Sequence, residues 1–235
     1  VSFIPTKAIE SLKDNSVLNY AKLNASYTSV GNTSAVSAYA TNELTIIPTG
    51  FPYGGLSALA YNNIPTNPDI KPEFVNTIEV GGQFGLFKDR ITVEGSYYIA
   101  KTTDLISNIT AGSFSGNSNL RDNIGDLENK GFEIDLGFVP VKTNDFRWDI
   151  RANYSTFKTK ITKLAEGQTS IALQSNSQIG IFAEVGEEFP LIKGTTFKRD
   201  GNGNILVDNN GAPLTNSSLS KLGKGVPDYI VGLTN

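Results

Sequence analysis

The stretch that most constrains this chain runs from Gly131 to Phe138 and reads Gly-Phe-Glu-Ile-Asp-Leu-Gly-Phe. Phe132, Ile134, Leu136 and Phe138 take the even positions, while Glu133 and Asp135 sit between them with two glycines. Successive side chains of a β-strand point to opposite faces, so this strand has one oily face and one that carries carboxylates. The same alternation recurs at 78–86, 91–99 and 146–156. Period-two patterning over several segments, with helical periodicity nearly missing, predicts an all-β fold of antiparallel strands.

Composition narrows what the oily faces meet. The 235 residues carry 20 basic and 23 acidic side chains, with no basic block that would attract nucleic acid. Hydrophobic residues make up 39%, and no run approaches the ~18 apolar residues of a membrane-spanning helix. A membrane β-barrel remains open, because its signal per strand is weaker. The chain has no cysteine, histidine or methionine. Disulfides, thiol catalysis, zinc–thiolate sites and a Ser–His–Asp arrangement are therefore outside its chemistry, and neither an enzyme nor a cofactor is expected. The start at Val1, with no signal peptide in view, reads as an internal piece of a longer protein. The triplets Asn32-Thr33-Ser34 and Asn108-Ile109-Thr110 fit the glycosylation pattern but mean little in a chain this rich in Asn, Ser and Thr.

Along the chain, residues 6–13 suit a short helix. A strand from Leu18 to Val30 puts Ala21, Leu23, Ala25 and Tyr27 on one face. Residues 31–72 read as a long irregular region with one strand at 39–47; five prolines between Pro48 and Pro72 argue against a ladder there. The strand at 75–88 aligns Ile78, Val80, Phe84 and Leu86. It turns tightly at 87–90 and returns with Ile91, Val93, Tyr97 and Ile99. A second hairpin runs through 131–139, Pro140 and the turn at 142–145. It returns with Phe146, Trp148, Ile150, Ala152 and Tyr154 on one face. Residues 179–225 read as short hairpins around 179–185, 189–192 and 205–207. Tyr229, Val231 and Leu233 then open another alternating strand. The connections at 87–90 and 140–145 are short, and those expected at 31–72, 102–127 and 158–178 are long.

This asymmetry suits an outer-membrane barrel, with short turns inside and long loops outside. Phe87, Phe146 and Trp148 beside the short turns suit an interfacial girdle. Glu79, Glu94, Glu133, Asp135, Asp149 and Arg151 keep the opposite faces ionised through the strand centres. Nine residues at ~3.3 Å each cross most of a ~25 Å lipid band after tilt. A soluble β-sandwich that binds glycans or mediates adhesion is the alternative on pattern alone.

Candidate chemistry is sparse. Asp200, Asn202 and Asn204 have the one-three-five oxygen spacing of a calcium loop. Ile205 stands where its glycine belongs, and Gly211 where its glutamate belongs. A hairpin turn is the plainer reading, and the sequence leaves open whether the 200–204 turn binds an ion. Gly81-Gly82 and the glycines at 201–203 lack the strand–turn–helix setting of a phosphate loop. Glu133 and Asp135 are wall residues rather than a catalytic pair. Phe51, Tyr53 and Tyr61 in the 48–72 loop offer rings for stacking on a sugar or peptide, or for local packing. No catalytic, cofactor-binding or metal residue is expected, and the substrate-binding residues are left open.

Several motifs, in order, resemble one family. They are Asn76-Thr77-Ile78-Glu79-Val80-Gly81, Phe87-Lys88-Asp89-Arg90-Ile91, Tyr97-Tyr98, Thr102-Thr103-Asp104-Leu105-Ile106 and Asn123-Ile124-Gly125. Glu128 to Glu133, Val185-Gly186-Glu187 and the closing Pro227 to Asn235 follow, and Leu23 to Asn32 is similar to an earlier strand. Together they resemble the barrel of SusC/RagA-type TonB-dependent outer-membrane receptors over nearly the whole chain. The resemblance implies a plugged barrel of about 22 strands in a Gram-negative, Bacteroidota-type outer membrane. It also implies import of glycans or oligopeptides, energised by TonB through a plug, with a SusD-like surface lipoprotein as partner. Under this reading residues 1–235 are a partial barrel domain facing lipid, without the plug and the remaining strands. Residues 165–225 are then an extracellular loop and hairpin region.

Overall fold

The computed structural model describes all residues except 14, 43–44, 62–63, 111–116 and 118, and no side chain at 61 or 110. The chain opens with β1 (Ser2–Phe3), a one-turn helix α1 (Pro5–Ala8) and a 3-10 turn at Glu10–Leu12. The long strands follow: β2 (Leu18–Asn32), then the two-residue pair β3 (Thr45–Ile46) and β4 (Ala60–Tyr61), then β5 (Glu73–Leu86), β6 (Ile91–Thr110), β7 (Asn119–Lys142) and β8 (Arg147–Leu164). Shorter ones complete it: β9 (Ser170–Ser175), β10 (Ile179–Glu184), β11 (Leu191–Gly194), β12 (Ser220–Lys224) and β13 (Ile230–Thr234).

A seven-stranded sheet, ordered β1-β2-β5-β6-β7-β8-β13, forms the body of the molecule, and every pairing in it is antiparallel. β1 and β13 are its edges, so it is an arc of wall rather than a closed barrel. No second sheet covers its apolar face among the described residues, which removes the sandwich alternative. Tyr27 is 67% exposed, Ile78 56% and Leu233 74%.

The tight turn after β5 places Phe87, Lys88 and Asp89 in the left-handed region, at φ 53°, 57° and 61°. Side chains with a Cβ resist that region, so outside contacts must hold it. Phe87 N donates to Val17 O at 2.8 Å, and Asn19 Nδ2 donates to Asp89 Oδ1 at 2.5 Å. Pro140, which has no N–H to give the ladder, lies inside β7 at a bulge. Phe138 pairs with Ile150, and the next paired residue, Val141, faces Trp148.

Two connections differ from expectation. The 102–127 loop is mostly ladder: β6 continues to Thr110, and β7 starts at Asn119. The 158–178 loop shrinks likewise, because β8 runs to Leu164 and β9 begins at Ser170. Above the oily belt both faces meet water or protein, so the strands persist while their alternation fades. Side chains reinforce this region. Ile106 N donates to Glu73 Oε2 at 3.1 Å, Asp104 N to Asp126 Oδ1 at 3.0 Å, and Asn123 Nδ2 to Asp104 O at 2.6 Å. The strand expected at 39–47 is reduced to β3 within a β3–β4 pair, and residues 43–44 of it lie outside the described residues.

Between β8 and β13 the chain makes an excursion that holds the second sheet, ordered β12-β11-β10-β9. Ile171 and Ala183 of that sheet join Ile124, Ile161 and Leu164 of the wall in the main buried cluster, with Leu105, Leu127 and Phe189 packed around it. Burying each large aliphatic side chain contributes roughly 1.5–3 kcal/mol. The excursion also closes the upper edge of β8: Gly186 N donates to Ile161 O at 2.8 Å, and Phe189 N to Thr159 O at 2.9 Å. β13 covers the lower edge, from Arg151 to Ser155.

Residues 196–216 form a three-armed star. At its centre Lys198 N donates to Leu214 O, Leu214 N to Leu206 O, and Leu206 N to Lys198 O, at 2.8, 2.9 and 2.9 Å. Each arm is a two-stranded antiparallel pair, bridged at Arg199–Ile205, Val207–Pro213 and Phe197–Thr215. Two arms end in identical turns. Asp200 Oδ1 accepts from the N–H groups of Asn202 and Asn204, and Asp208 Oδ1 from those of Asn210 and Ala212. Gly203 and Gly211, at φ 89° and 81°, supply the left-handed residue of each turn.

Candidate functional site

The register of the large sheet sorts its side chains into rows. On the apolar face the lowest row is Leu18, Leu86, Ile91, Phe138 and Ile150. Above it comes Ala21, Phe84, Val93, Leu136, Ala152 and Leu233, and then Leu23, Gly82, Gly95, Ile134, Tyr154 and Val231. The fourth row is Ala25, Val80, Tyr97, Phe132 and Thr156, and the fifth starts with Tyr27, Ile78 and Ile99. The fifth row ends in Lys130 and Lys158, and a polar row of Ser29, Asn76, Lys101, Glu128 and Lys160 follows.

Four two-residue steps separate the first row from the fifth, or ~26 Å along a strand at ~3.3 Å per residue. At a tilt of ~40° this is ~20 Å along the membrane normal, and the terminal side chains extend it toward the ~25 Å apolar band of barrel walls. Phe87, Phe146 and Trp148 border the belt at the short-turn end, all exposed. Trp148 Nε1 donates to Asn235 Oδ1 at 2.9 Å, so its ring is apolar on one side and hydrogen-bonded at its tip. Tyr154 and Tyr229 stack on the belt with centroids 6.0 Å apart.

The reverse face carries the opposite chemistry. Its rows include Lys22, Gln83, Glu94, Asp135 and Asn153, then Asn24, Gly81, Ser96, Glu133 and Ser155. Gln83 Nε2 donates to Glu94 Oε1 at 2.9 Å. Glu94, Ser96, Glu133, Asp135, Asn153 and Ser155 line an open concavity of about 320 Å³. Ionised groups on a solvated inner wall need no catalytic explanation, and Glu133 and Asp135 are part of that wall. Glycines on this face make room for large neighbours. A Cβ on Gly131 would stand 2.3 Å from the Tyr98 ring, which lies across the strand at that point.

The two tight turns, 87–90 and 143–146, lie at one end of the sheet, together with the connection 4–17 that carries α1. At the other end lie the two longest connections, 33–72 and the excursion of 165–229, with the eight residues between β6 and β7. An ionic clasp fastens that excursion. Lys224 Nζ lies 2.6 Å from Glu188 Oε2 and 2.6 Å from Asp228 Oδ1, and Lys158 Nζ lies 4.0 Å from Glu188 Oε1. Lys224 holds both carboxyls below their ordinary values through its hydrogen bonds, and Asp228 and Glu188 raise the Lys224 ammonium in return. Lys221 pairs with Glu187, and Lys193 with Glu184 at 2.8 Å.

The calcium-like spacing at Asp200, Asn202 and Asn204 belongs to the first arm of the star. Both Asp200 oxygens are occupied within the turn, since Oδ2 accepts from Asn204 Nδ2 at 3.0 Å. That bond and the backbone donors hold the carboxyl below its usual range. What the sequence reading missed was the eight-residue repeat of Asp200, Asp208 and Asn216, which sets the arms. Of the loop aromatics, Phe51 and Tyr53 are exposed, and the Tyr61 side chain lies outside the described residues.

An apolar belt on an uncovered face, a polar face behind it and loops sorted by length define a wall of an outer-membrane β-barrel. A family model described as TonB dependent receptor-like, beta-barrel, matches residues 13–223, and the chain belongs to that family. It is 28% identical to the TonB-dependent receptor P26 of Formosa agariphila over 91% of this chain and 24% of that protein. It is 26% identical to the TonB-dependent receptor SusC of Bacteroides thetaiotaomicron over 92% of this chain and 22% of that protein. The structure described as the RagAB peptide transporter superposes with a TM-score of 0.77 at 19% identity. That match covers 99% of this chain and 26% of the other. The chain thus spans about a quarter of the length of the curated relatives it matches. The SusC/RagA resemblance and the partial-barrel fold agree with these matches.

Proposed function

We propose that this chain is a wall segment of a TonB-dependent importer in the outer membrane of a Gram-negative, Bacteroidota-type cell. The observation that carries the reading is the five-row apolar belt on the uncovered face, set over a polar face with the short turns at one end. The belt meets lipid, the polar face lines the lumen, and the 165–225 region stands outside the cell. The cargo class is glycan or oligopeptide, taken up with a SusD-like surface lipoprotein and driven by TonB through a plug. Similarity to a structure described as a peptide transporter supports an oligopeptide cargo, and similarity to TonB-dependent receptors supports the energy source.

Residues 1–235 contain no cysteine, so an introduced thiol is unique within this segment, and the receptor without it is the labelling control. In the intact receptor, Asp200→Cys should react with a membrane-impermeant maleimide on whole cells, and Lys88→Cys only after permeabilisation. Uptake of oligosaccharide or oligopeptide should stop when either the receptor or TonB is removed. Uptake that persists without TonB, or reversed labelling, refutes the reading.

A further inference from the structure

Two arms of the star carry the only Asn-Gly steps in the sequence, Asn202-Gly203 and Asn210-Gly211. They stand at equivalent turn positions, and all four residues are exposed. Among the described residues neither of these asparagine side chains has a hydrogen-bond partner. Asn204 and Asn216, by contrast, donate their Nδ2 groups at 3.0 and 2.8 Å. Glycine has no Cβ to shield its nitrogen, and the place of a Cβ at Gly203 or Gly211 has nothing within 4 Å. An unshielded glycine nitrogen beside a free side-chain amide is the arrangement in which asparagine cyclises onto its own backbone.

That reaction consumes only water. The glycine nitrogen attacks Cγ of the asparagine and gives its proton to solvent. An N–Cγ bond forms, the Cγ–Nδ2 bond breaks, and ammonia leaves. Water then opens the cyclic imide at either carbonyl, giving aspartate or a β-linked isoaspartate. In both turns the attacking nitrogen is already engaged: Gly203 N donates to Asp200 O and Gly211 N to Asp208 O, each at 3.1 Å. The turn must therefore open locally before the amide can react.

The two turns do not open equally easily. In the first arm Arg199 Nη1 donates to Gly203 O at 2.7 Å, and Asn204 Nδ2 donates to Asp200 Oδ2 at 3.0 Å. Val207 and Ala212 hold the equivalent places in the second arm, and their side chains can donate neither bond. We infer that Asn210 is a site of spontaneous deamidation and isoaspartate formation, and that Asn202, in the matching turn, is protected by Arg199 and Asn204. Two exposed hydrogen bonds, each worth a few-fold in the opening equilibrium, set the difference at about tenfold. The product adds a negative charge beside Asp208, and its β-linked form puts an extra atom into the backbone. The node at Lys198, Leu206 and Leu214 lies at the other end of the arm, so the rest of the star keeps its bonds. Neither the cargo nor the orientation of the receptor enters this inference.

The test incubates the intact, folded receptor in mildly alkaline buffer and follows both asparagines by tandem mass spectrometry. The readout is the mass change of amide-to-acid conversion, with fragmentation that identifies the β-linked product. Asn210 should convert ahead of Asn202 by the factor given above, and the two rates should converge in denatured receptor. The variant V207R/A212N should slow Asn210 toward the Asn202 rate, and R199V/N204A should raise Asn202 toward the Asn210 rate. The parent comparison needs no variant to fold. Equal rates in the folded parent, faster conversion at Asn202, or an Asn210 rate unchanged in V207R/A212N overturns the inference. A difference that survives denaturation assigns it to local sequence and overturns the protective role as well.

Discussion

Placing an arginine at successive lipid-facing rows of β7 should trace the depth of the membrane. Phe138, Ile134 and Lys130 occupy the first, third and fifth rows, each one pair of steps from the next. Ile134 is thus in the middle of the belt, with about 10 Å of apolar wall to either side along the normal. An arginine at the midplane of a barrel costs about 2–4 kcal/mol, falling to ~0–1 kcal/mol near the interface. Ile134→Arg should shift the folding equilibrium by roughly 30- to 1,000-fold. Phe138→Arg and Lys130→Arg should shift it by about fivefold or less through depth, although the former also loses a ring. Glu133→Arg, one residue from Ile134 but on the polar face, is the control and should cost little. The assay is reversible unfolding of the intact receptor in bilayers, followed by heat-modifiable gel mobility. A flat profile along 138, 134 and 130, or a penalty at 133 matching that at 134, would falsify the lipid-facing assignment.

Two further outcomes follow from local geometry. Gly131→Ala should destabilise the receptor by about 1–3 kcal/mol, because the new methyl meets the Tyr98 ring. Pairing it with Tyr98→Ser should restore most of that loss, and Gly95→Ala, with its nearest contact at 3.6 Å, should be tolerated. Lys224→Gln should speed amide exchange in 185–189 and 220–229 at neutral pH by loosening the clasp. The folded-state values of Glu188 and Asp228 lie below their unfolded ones, so their contribution is present above the ordinary carboxylate range and lost as pH falls through the depressed values. The raised Lys224 contribution is present below its unfolded value and lost only as strongly alkaline pH passes the folded one. The exchange difference between parent and variant should therefore vanish in acid. A difference that survives there refutes the ionic origin.

Where lipid meets the sheet, the sequence was most legible. Phe132 to Phe138 alternate because each odd residue faces water and each even one hydrocarbon, and neither solvent tolerates the wrong side chain. Beyond Thr102 that pressure ends. Asp104, Asp122, Asn123 and Asp126 serve ladder and bulge there, and their polarity imitates a loop. Pro140 likewise looked like the end of a strand, yet a bulge carries β7 past it to Lys142. The star escaped because its arms are only a few residues long. Its signal is spacing by eight; the hairpin turn expected at 200–204 is present, and both Asp200 oxygens serve it. The lysines at the top of the belt were equally hidden: Lys101, Lys130, Lys158 and Lys160 are scattered along three strands, and only the register brings them to one level.

The star has a consequence for how a water-exposed excursion stays solitary. Each of its three strands bends at the central node and gives its two halves to different neighbours, so no straight edge is longer than two or three residues. A foreign strand needs a longer run of free N–H and C=O groups to dock. The module can therefore hold Phe197, Ile205, Val207 and Leu214 exposed without offering a template for cross-chain pairing. Its two outer arms can also lengthen or shorten independently, since the ring at Lys198, Leu206 and Leu214 closes whatever lies beyond it.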